Sequence, residues 1–460
     1  MPAAPAAKPQ SLDVVLRQQT PANINHGGKR KPNAKISAEY FLQLFHVKIY
    51  QEGIYIFDGG RYQYFSDQDI KRLLHTIFKE EAEQCGTSKY YKEIIDFIRC
   101  VPGIVVKDAA NDPTKISFLD GYLDLKTLNI HKPDYTNFFT TIINMYIDEL
   151  SAVKQTPVFD SFINRITGGD LLLQERILEV IGYCLTNDMA AKSIFLFQGV
   201  SNSGKSTLIN LISSFFEDEL IAAVPIDELS LTFSMKELFG KALNINGELS
   251  SSSIKPQTCR CLKQLTGGDW IQANVKYKDY IKFKNTAKIL LATNNALFLE
   301  ERDEAFIQRF ITVPFAYSLS KEEIDYSLLD KIKAERPGIL IKALNHYITL
   351  KNNNYQFTGN YPLNAQCQSN NRQQRTDILK TFIDEMLVVD YDSFVPLAEI
   401  YTAFKEWLMQ TGELNNPYPS DMSFGKSLRN YLHDAHFEKK RTPLFKNPVS
   451  CLLNYKLKSL

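Results

Sequence analysis

The first feature of this 460-residue sequence is what it does not contain. It has no run of about 18 apolar residues, which excludes the usual membrane-spanning helix. Its first ten residues, MPAAPAAKPQ, lack the charged start and long apolar core of a secretory signal. None of its seven cysteines forms a CxxC pair, and Cys259 and Cys261 make a lone CxC. We therefore predict a cytoplasmic protein with reduced thiols, no zinc site and no membrane partner.

Net charge is also nearly absent, because 53 basic residues are matched by 52 acidic ones. Any nucleic-acid surface must therefore be local. With 44% hydrophobic and 23% charged residues, the composition is that of a globular protein of about two to four domains. No NKxD signature is present, which disfavours a GTPase. His433 and His436 lie three residues apart on a predicted helix without further ligands, which disfavours a metal site.

What the sequence does contain is a phosphate-binding loop, GVSNSGKST. It follows a predicted strand at Lys192–Gln198 and precedes a helix that begins at Lys205 and continues through TLINLISSFF, the setting such a loop requires. We predict that Lys205 reaches the β- and γ-phosphates of a nucleotide and that the Ser206 hydroxyl binds Mg²⁺. The residues predicted to cradle the nucleotide are Gly199, Val200, Ser201, Asn202, Ser203, Gly204, Lys205, Ser206 and Thr207.

Two later strands end in polar residues that suit the same chemistry. Glu248 follows the predicted strand Ala242–Asn246 and is the acid best placed to hold Mg²⁺ and activate water. Asn294 follows the strand in KILLATNN, where an amide can hold the attacking water or sense the γ-phosphate. Taken alone, Asn294 is about as well explained as a turn residue.

Between these strands the sequence predicts a β-hairpin. Trp270–Val275 and Tyr280–Phe283 favour strand, and the tip contains Lys276, Tyr277 and Lys278. Two lysines and an aromatic ring suit the backbone and bases of single-stranded DNA. Charge alone favours a solvated hairpin tip, and that alternative stays open.

The amino-terminal region gives mainly structural signals. Gly53–Phe57 and Tyr62–Phe65 read as strands, and ISFLDGYLDLKT reads as two strands joined by a tight turn. Asp67 and Asp69 form a DxD that invites a metal-binding interpretation. Because both fall in the first turn after Ser66, a helix cap is the better explanation. TGGD occurs twice, and Asp170 of the first copy is predicted to cap the helix that follows.

In this order, the motifs resemble the superfamily three helicases, a branch of the AAA+ ATPases. The nearer likeness is to the primase-helicase type of phages, plasmids and poxviruses, over roughly residues 50–460. The segments that carry it are GVSNSGKST, Glu248, LKQLTGGDWIQANVKYK, LATNN, DEAFIQRFITVPF, ISFLDGYLDLKT and FINRITGGDLLLQERILEVIGYCLT. Relatives often have two adjacent acids where this chain has Gly247 and Glu248, and a second arginine where it has Gln308 before Arg309.

The resemblance implies an α/β fold built around an AAA+ P-loop ATPase core. The implied domains are a disordered basic arm (1–35), an N-terminal α+β domain (36–150), a helical collar (151–190), the AAA+ core (191–318), a helical lid and linker (319–374) and a winged-helix DNA-binding domain (375–460). Too few residues precede Ile36 for a primase domain. We therefore expect a separate primase or polymerase as a partner.

The function implied is that of an ATP- and Mg²⁺-dependent replicative DNA helicase in a bacterial host cytosol or at a viral replication site. Such enzymes form homo-hexameric rings that move 3′-to-5′ on single-stranded or forked DNA. Lys205, Ser206, Glu248 and Asn294 would serve one ATP, and Arg309 of the neighbouring subunit would act as its arginine finger. The Lys276 hairpin would line the central channel.

The carboxy-terminal region favours an additional role in binding origin duplex DNA. The segment FGKSLRNYLHD is a candidate recognition helix, and Met422–Leu460 has eight basic and two acidic residues, a local balance of +6. A basic packing domain without sequence preference is the alternative.

Two other function classes stay open at this point. A helicase loader or transposition regulator would bind DNA and hydrolyse ATP without unwinding. A small-molecule kinase would use the same phosphate loop, but it needs neither a channel hairpin nor Arg309.

Overall fold

The computed structural model describes residues 32–106, 111–152, 155–231, 233–249, 253–275, 278–299, 303–318, 325–363, 379–410, 421–432, 435–442 and 445–458. The chain divides into two compact units, residues 1–364 and 365–460. Most of the predicted arm lies outside the described residues, but its boundary was wrong. The first described helix begins at Ala34, because the Asn33 side chain accepts a hydrogen bond from the Lys35 amide and caps it.

The elements are numbered in chain order. The α-helices are α1 (Ala34–Leu44), α2 (Asp67–Cys85), α3 (Thr87–Arg99), α4 (Glu149–Ala152), α5 (Pro157–Thr167), α6 (Leu171–Cys184), α7 (Lys205–Ser213), α8 (Pro256–Gly267), α9 (Glu304–Ile307), α10 (Leu328–Ala334), α11 (Arg336–Asn352), α12 (379–386), α13 (Leu397–Gln410) and α14 (Asp421–Tyr431). Short 3₁₀ helices occur at Pro102–Ile104, Asp218–Leu220, Ile226–Glu228 and Ser234–Leu238.

The strands belong to several separate sheets. They are β1 (Val47–Tyr50), β2 (Gly53–Phe57), β3 (Tyr62–Phe65), β4 (Lys115–Phe118), β5 (Gly121–Asp124), β6 (Asn129–His131), β7 (Ile194–Gly199), β8 (Ile221–Ala222), β9 (Leu243–Asn246), β10 (Ser253–Ile254), β11 (Trp270–Val275), β12 (Lys278–Lys284), β13 (Lys288–Thr293), β14 (Phe298–Leu299), β15 (Phe310–Phe315), β16 (Leu387–Pro396), β17 (Phe437–Thr442) and β18 (Phe445–Leu457).

The centre of the larger unit is a five-stranded parallel sheet in the order β15-β7-β13-β9-β8. Strand β7 is buried on both faces, as in α/β folds with helices on each side. Phe195 and Phe197 enter a first core with α5, α6, α7 and α11, whereas Ile194 and Leu196 enter a second core with α8 and β11. This mixed α/β arrangement is compatible with the predicted P-loop core.

Two helices cover one face of this sheet at close range. Helix α6 packs along α11, and at Gly182 a Cβ atom would lie 2.1 Å from the carbonyl oxygen of Ala343. The predicted cap of α6 is confirmed, because the Asp170 side chain accepts a hydrogen bond from the Leu173 amide (3.1 Å). The helix predicted to run on from Lys205 through the double phenylalanine instead ends at Ser213, and the two phenylalanines pack into the first core.

The amino-terminal region contains two three-stranded antiparallel sheets, β1-β2-β3 and β4-β5-β6, in which β2, β3, β4 and β5 are the predicted strands. Ser66 and Asp69 form the predicted capping box of α2. Asp67 forms an ion pair with Arg99 of α3 instead of facing Asp69 across a metal site. The DxD is therefore structural. In the part of the chain that the structure describes, no helix is both long and apolar enough to cross a bilayer.

The smaller unit has its own sheet, β16-β18-β17, which is antiparallel. Its core joins α12, α13 and α14 to this sheet through Phe382, Phe404 and Phe424. The predicted helices near 377–387 and 397–411 are present as α12 and α13. The candidate recognition helix corresponds to α14, and His433 lies outside the described residues. His436 precedes β17 and is not on a helix, which corrects the predicted pairing of the two histidines.

A buried charge cluster lies where α6 and α11 meet the sheet. Lys288, at the start of β13, is only 1% exposed. Asp188, also buried, accepts hydrogen bonds from the hydroxyls of Tyr347 on α11 (2.8 Å) and Tyr355. Burial lowers the pKa of Lys288 to about 8, an effect that Cys184 and Asp188 oppose. Because this pKa lies below the unfolded value, the buried charge costs stability below about pH 8, and this cost falls as the pH rises toward 10.5.

Asp188→Ala is expected to destabilise the larger unit by about 1–3 kcal/mol, because the Tyr347 and Tyr355 hydroxyls lose their acceptor and the Lys288 ammonium loses a nearby negative charge. The matched control is Asp160→Ala, which removes an exposed pair with Lys342 and is expected to cost about 0–1 kcal/mol. Thermal unfolding of the full chain measures both changes. Equal shifts in the two variants would show that the buried cluster does not hold these helices to the sheet.

Candidate nucleotide-binding site

The phosphate-binding loop leaves the sheet at a position where only glycine fits. A Cβ atom on Gly199, at the end of β7, would lie 2.0 Å from the carbonyl oxygen of Phe315 on β15. Gly204, at the other end of the loop, has a φ of +94° and lies against α5, where its Cβ would be 2.8 Å from Ile166. Helix α7 begins directly after Gly204, so its free N–H groups point into the loop. The predicted strand–loop–helix arrangement is confirmed.

Lys205 is held inside this loop. Its Nζ donates hydrogen bonds to the carbonyl oxygens of Gly199 (2.9 Å) and Val200 (2.6 Å) and to the hydroxyl of Ser203 (3.2 Å). The residue is 8% exposed, and burial lowers the pKa of its ammonium. The structure therefore fixes a cation at the point where the loop can surround a phosphate.

A cleft of about 350 Å³ opens beside the loop and brings the predicted residues together. Its walls include Lys205, Ser206, Glu248 and Asn294. This grouping follows from the strand order, because β13 lies between β7 and β9 and all three strands end at the same edge of the sheet. Other residues lining the cleft are Ser201, Asn202, Ser203, Gly204, Thr207, Gly247 and Thr293.

Hydrogen bonds shape the strand ends that present Glu248 and Asn294. The Thr293 hydroxyl accepts from the Asn295 amide (3.0 Å), and the Gln198 side chain donates to the Asn295 carbonyl (2.9 Å). On β9, the buried side chain of Asn246 accepts from the Ile226 amide (2.8 Å) and so fixes the neighbouring segment. Glu248 and Asn294 themselves are exposed at the cleft.

Sequence reasoning missed the far wall of the cleft. Phe162, Arg165 and Ile166 come from α5, and Tyr317, Asp325 and Leu328 come from the chain after β15. The Ser318 hydroxyl also donates to the Ser201 carbonyl in the loop (2.8 Å). These residues are separated from the loop by more than thirty positions on one side and about a hundred on the other. No short-range sequence pattern links these far-wall residues to the phosphate loop.

Arg309 does not line the cleft. It lies directly before β15, at the amino end of that strand, whereas the cleft is at the carboxyl edge of the sheet. A strand of six residues is about 20 Å long, so the guanidinium lies far from the phosphate loop of its own chain. Its Nη1 donates to the Lys263 carbonyl and the Thr266 hydroxyl, both at 2.8 Å. Gln308 beside it is exposed.

The predicted hairpin is present, with β11 and β12 paired antiparallel. Lys276 and Tyr277 lie outside the described residues, as does the side chain of Lys278. Their predicted contact with DNA stays a prediction.

Three family models match the chain in sequence order. Residues 34–168 match a family described as D5 N terminal like, and residues 374–457 match a family described as poxvirus D5 protein-like. Between them, residues 197–309 match a family of unknown function, DUF5906. Two of the three matches are to D5-type families, as expected for a chain that resembles the viral primase-helicase type. The predicted resemblance is thereby confirmed, and the middle match contains the phosphate loop, Glu248, Asn294 and Arg309.

Individual relatives of the chain are distant in sequence. A protein of Acanthamoeba polyphaga mimivirus, provisionally named helicase L207/L206, is 23% identical in an alignment 319 residues long that covers 63% of this chain and 31% of the relative. The chain thus spans about a third of that protein. Two apo structures of the C-terminal region of NrS-1 superpose with TM-scores of 0.47 and 0.45 at 12% and 13% identity. They cover 92% and 91% of this chain and 100% and 98% of their own. TM-scores below 0.5 at 12–13% identity assign no function to this chain.

Proposed function

We propose that this chain is an ATP-dependent DNA helicase that acts in the replication of a virus or mobile element. One observation carries the proposal. Lys205, Ser206, Glu248 and Asn294 share a single cleft, while Arg309 lies near the opposite edge of the same sheet. A cleft of this composition suits nucleotide hydrolysis, and a remote arginine suits hydrolysis completed by a second copy of the chain.

The residues around the cleft fit ATP with Mg²⁺. Glycine at 199 and 204 lets the loop pass against Phe315 and Ile166, where a side chain would clash, and glycine-rich loops of this kind can point successive N–H groups at phosphate oxygens. Lys205 would neutralise the β- and γ-phosphates, and Ser206 and Glu248 offer the oxygen ligands that Mg²⁺ prefers. The metal would supply charge neutralisation on the phosphates. Glu248 would orient and deprotonate the attacking water, with Asn294 holding that water by its amide.

The assembly in this proposal is a homo-hexameric ring that translocates 3′-to-5′ on single-stranded DNA. Arg309 would approach the cleft of the next subunit, and the Lys276 hairpin would contact the strand in the channel. A forked DNA substrate tests the proposal, because a helicase displaces the annealed strand when ATP is hydrolysed. A loader or transposition regulator would hydrolyse ATP and leave the fork intact. The expected effects of altering the cleft are given in the Discussion.

The smaller unit is proposed to bind duplex DNA, including a replication origin, as a winged-helix domain. Its described elements run helix, strand, helix, helix, strand, strand, and α14 packs Phe424 into the core while Lys426 and Arg429 on the same helix are exposed. The basic residues of this region are Lys426, Arg429, Lys439, Lys440, Arg441, Lys446, Lys456 and Lys458. Such an excess suits phosphate contacts.

Replacing both Lys426 and Lys439, which are exposed, with alanine is expected to weaken duplex binding on every sequence. If each contacts one phosphate, the slope of log affinity against log salt should fall by about 0.9 for each lysine lost. Lys405→Ala, an exposed lysine on α13 of the same unit, is the matched control and should leave the slope unchanged. An unchanged slope in the double variant would show that Lys426 and Lys439 do not contact DNA phosphates.

A further inference from the structure

Helix α7 connects the nucleotide cleft to the amino-terminal region of the chain. Its first residues, Lys205 and Ser206, line the cleft. The helix ends at Ser213, about 13 Å away, because each residue adds about 1.5 Å. Its buried residues are Lys205, Leu208, Ile209, Leu211 and Ile212. Apolar packing is non-directional, whereas hydrogen bonds and ion pairs depend on distance and direction. Polar contacts at the far end of α7 therefore help to set the position of Lys205.

Two backbone carbonyl groups after α7 accept hydrogen bonds from other elements. The Ser214 carbonyl accepts from the Arg336 guanidinium of α11, and the Phe215 carbonyl accepts from the backbone amide of Asn144 (2.8 Å). A cation at this end of a helix also complements the helix dipole. Asn144 belongs to the amino-terminal region. Residues 214–219, here named the anchor segment, are therefore held from two sides.

A buried arginine makes a further contact with the anchor segment. Arg61 lies in the turn between β2 and β3, and its side chain is only 5% exposed. Its Nη2 donates a hydrogen bond to the Glu217 carboxylate and lies 3.5 Å from the carboxylate of Glu219. Its Nε lies 3.7 Å from the carboxylate of Asp58. One guanidinium thus faces three carboxylates, two of which belong to the anchor segment.

Cohesion alone does not explain a buried arginine at this place. A buried ion pair costs the desolvation of both charges, and apolar side chains of similar size often hold two elements together as well or better. What a guanidinium provides is geometry, because its donors lie in a rigid planar fork. Arg61 therefore fixes the distance and direction between the β2–β3 turn and the anchor segment.

The amino-terminal region also contacts the element that leads to Glu248. Tyr50 of β1 is buried, and its ring stacks on that of Phe239, with the centroids 6.2 Å apart and the planes at 20°. Phe239 precedes β9, the strand before Glu248. The amino-terminal region thus touches two of the elements that bring side chains to the cleft, and it touches both at the ends that lie away from the cleft.

We propose that the amino-terminal region positions α7 for ATP hydrolysis, with Arg61 as a positioning residue that acts on Lys205 through the anchor segment. The inference rests on the proposed function, because it presupposes that the cleft hydrolyses ATP. Binding of ATP draws on the whole phosphate loop, whereas transfer of the γ-phosphate with Mg²⁺ depends on the exact placement of Lys205 and Ser206. Loss of Arg61 should therefore affect turnover more than affinity.

Arg61→Ala is expected to lower the turnover of ATP hydrolysis about tenfold, with the KM for ATP changed by less than about threefold. The Mg²⁺ concentration for half-maximal turnover should rise, because Ser206 at the start of α7 is displaced. Turnover is expressed per bound molecule of a fluorescent ATP analogue, so that a smaller folded fraction cannot produce the change. Arg72→Ala is the matched control, since it removes an exposed arginine of the same region that pairs with Asp69, and it should change none of these quantities.

Two milder variants keep the test decisive if Arg61→Ala does not fold. Arg61→Lys keeps the charge and loses the planar fork, and Glu217→Gln keeps the shape of a partly exposed partner and loses its charge. Each is expected to lower turnover by about threefold. The double variant should lose little more than the worse of the two, because residues in one contact are not additive. Losses that multiply would show that Arg61 does not act through Glu217.

The remaining outcomes separate this inference from the proposed function. If folded Arg61→Ala keeps the turnover and Mg²⁺ requirement of the wild type while Lys205→Ala is inactive, the positioning role is wrong and the proposed function stands. If Arg61→Ala lowers the thermal midpoint but leaves turnover per bound nucleotide unchanged, Arg61 only holds the two parts together. If the wild type hydrolyses no ATP, both the positioning role and the proposed function fail.

Discussion

Lys205→Ala should abolish ATP hydrolysis and fork unwinding together, with a loss of at least about a hundredfold in turnover. The reason is that the ammonium lies inside the phosphate loop, where no other basic side chain of the loop can replace it. Its charge is needed most when negative charge shifts during transfer of the γ-phosphate. Phosphate release and strand displacement on a fork, measured on the same preparation, report the two activities.

A matched control is available for this variant. Lys79→Ala removes an exposed lysine on α2, remote in sequence from the loop, and should leave both activities at the wild-type level. Because Lys205 also donates hydrogen bonds to the Gly199 and Val200 carbonyls, the thermal midpoint of the variant must be compared with that of the wild type. Near-normal hydrolysis by folded Lys205→Ala would mean that the cleft is not the working site.

Arg309→Ala should lower the turnover of ATP hydrolysis by about a thousandfold if the residue is an arginine finger. ATP binding should survive the substitution. A finger stabilises mainly the transition state, so the affinity for ATP should change little. Because Arg309 lies at the opposite edge of the sheet from the cleft of its own chain, the proposal requires that the affected cleft be that of another copy of the chain. Binding of a fluorescent ATP analogue, beside phosphate release, separates the two effects.

Mixing the two inactive variants tests action between subunits. An Arg309→Ala subunit keeps an intact phosphate loop, and its Lys205→Ala neighbour keeps an intact finger. Hydrolysis should therefore return at mixed boundaries, and it should pass through a maximum as the ratio of the two variants is changed. If subunits demonstrably exchange and no activity returns at any ratio, Arg309 does not serve the neighbouring site, or the sites require more than one competent neighbour.

The internal contacts of Arg309 need their own control. Its Nη1 bonds to the Thr266 hydroxyl and the Lys263 carbonyl, so Arg309→Ala also removes a link between β15 and α8. Thr266→Val breaks one of these bonds and leaves the guanidinium in place. If Thr266→Val reproduces the loss of hydrolysis, the arginine acts by holding α8. If hydrolysis persists in Thr266→Val, the loss in Arg309→Ala belongs to the guanidinium itself.

Several features of the chain were readable from local sequence because their causes are local. A capping box needs only Ser66 and Asp69 three residues apart, and Asp170 caps its helix by the same rule. The phosphate loop needs glycines at two fixed positions between a strand and a helix. The alternation in Trp270–Val275 likewise predicted a strand, because the side-chain period of a strand is two residues.

Other features were decided only when distant segments packed. The neighbours of β13 are set by pairing and by burial on both faces, and this order brings Asn294 to the loop and Glu248. The same packing places Arg165 in the cleft and buries Lys288 beside Asp188, although nothing near either residue in the sequence indicates it. Local patterns thus determined the elements and the chemistry that their ends offer. The tertiary structure decided which ends meet, because that depends on contacts between residues far apart in the chain.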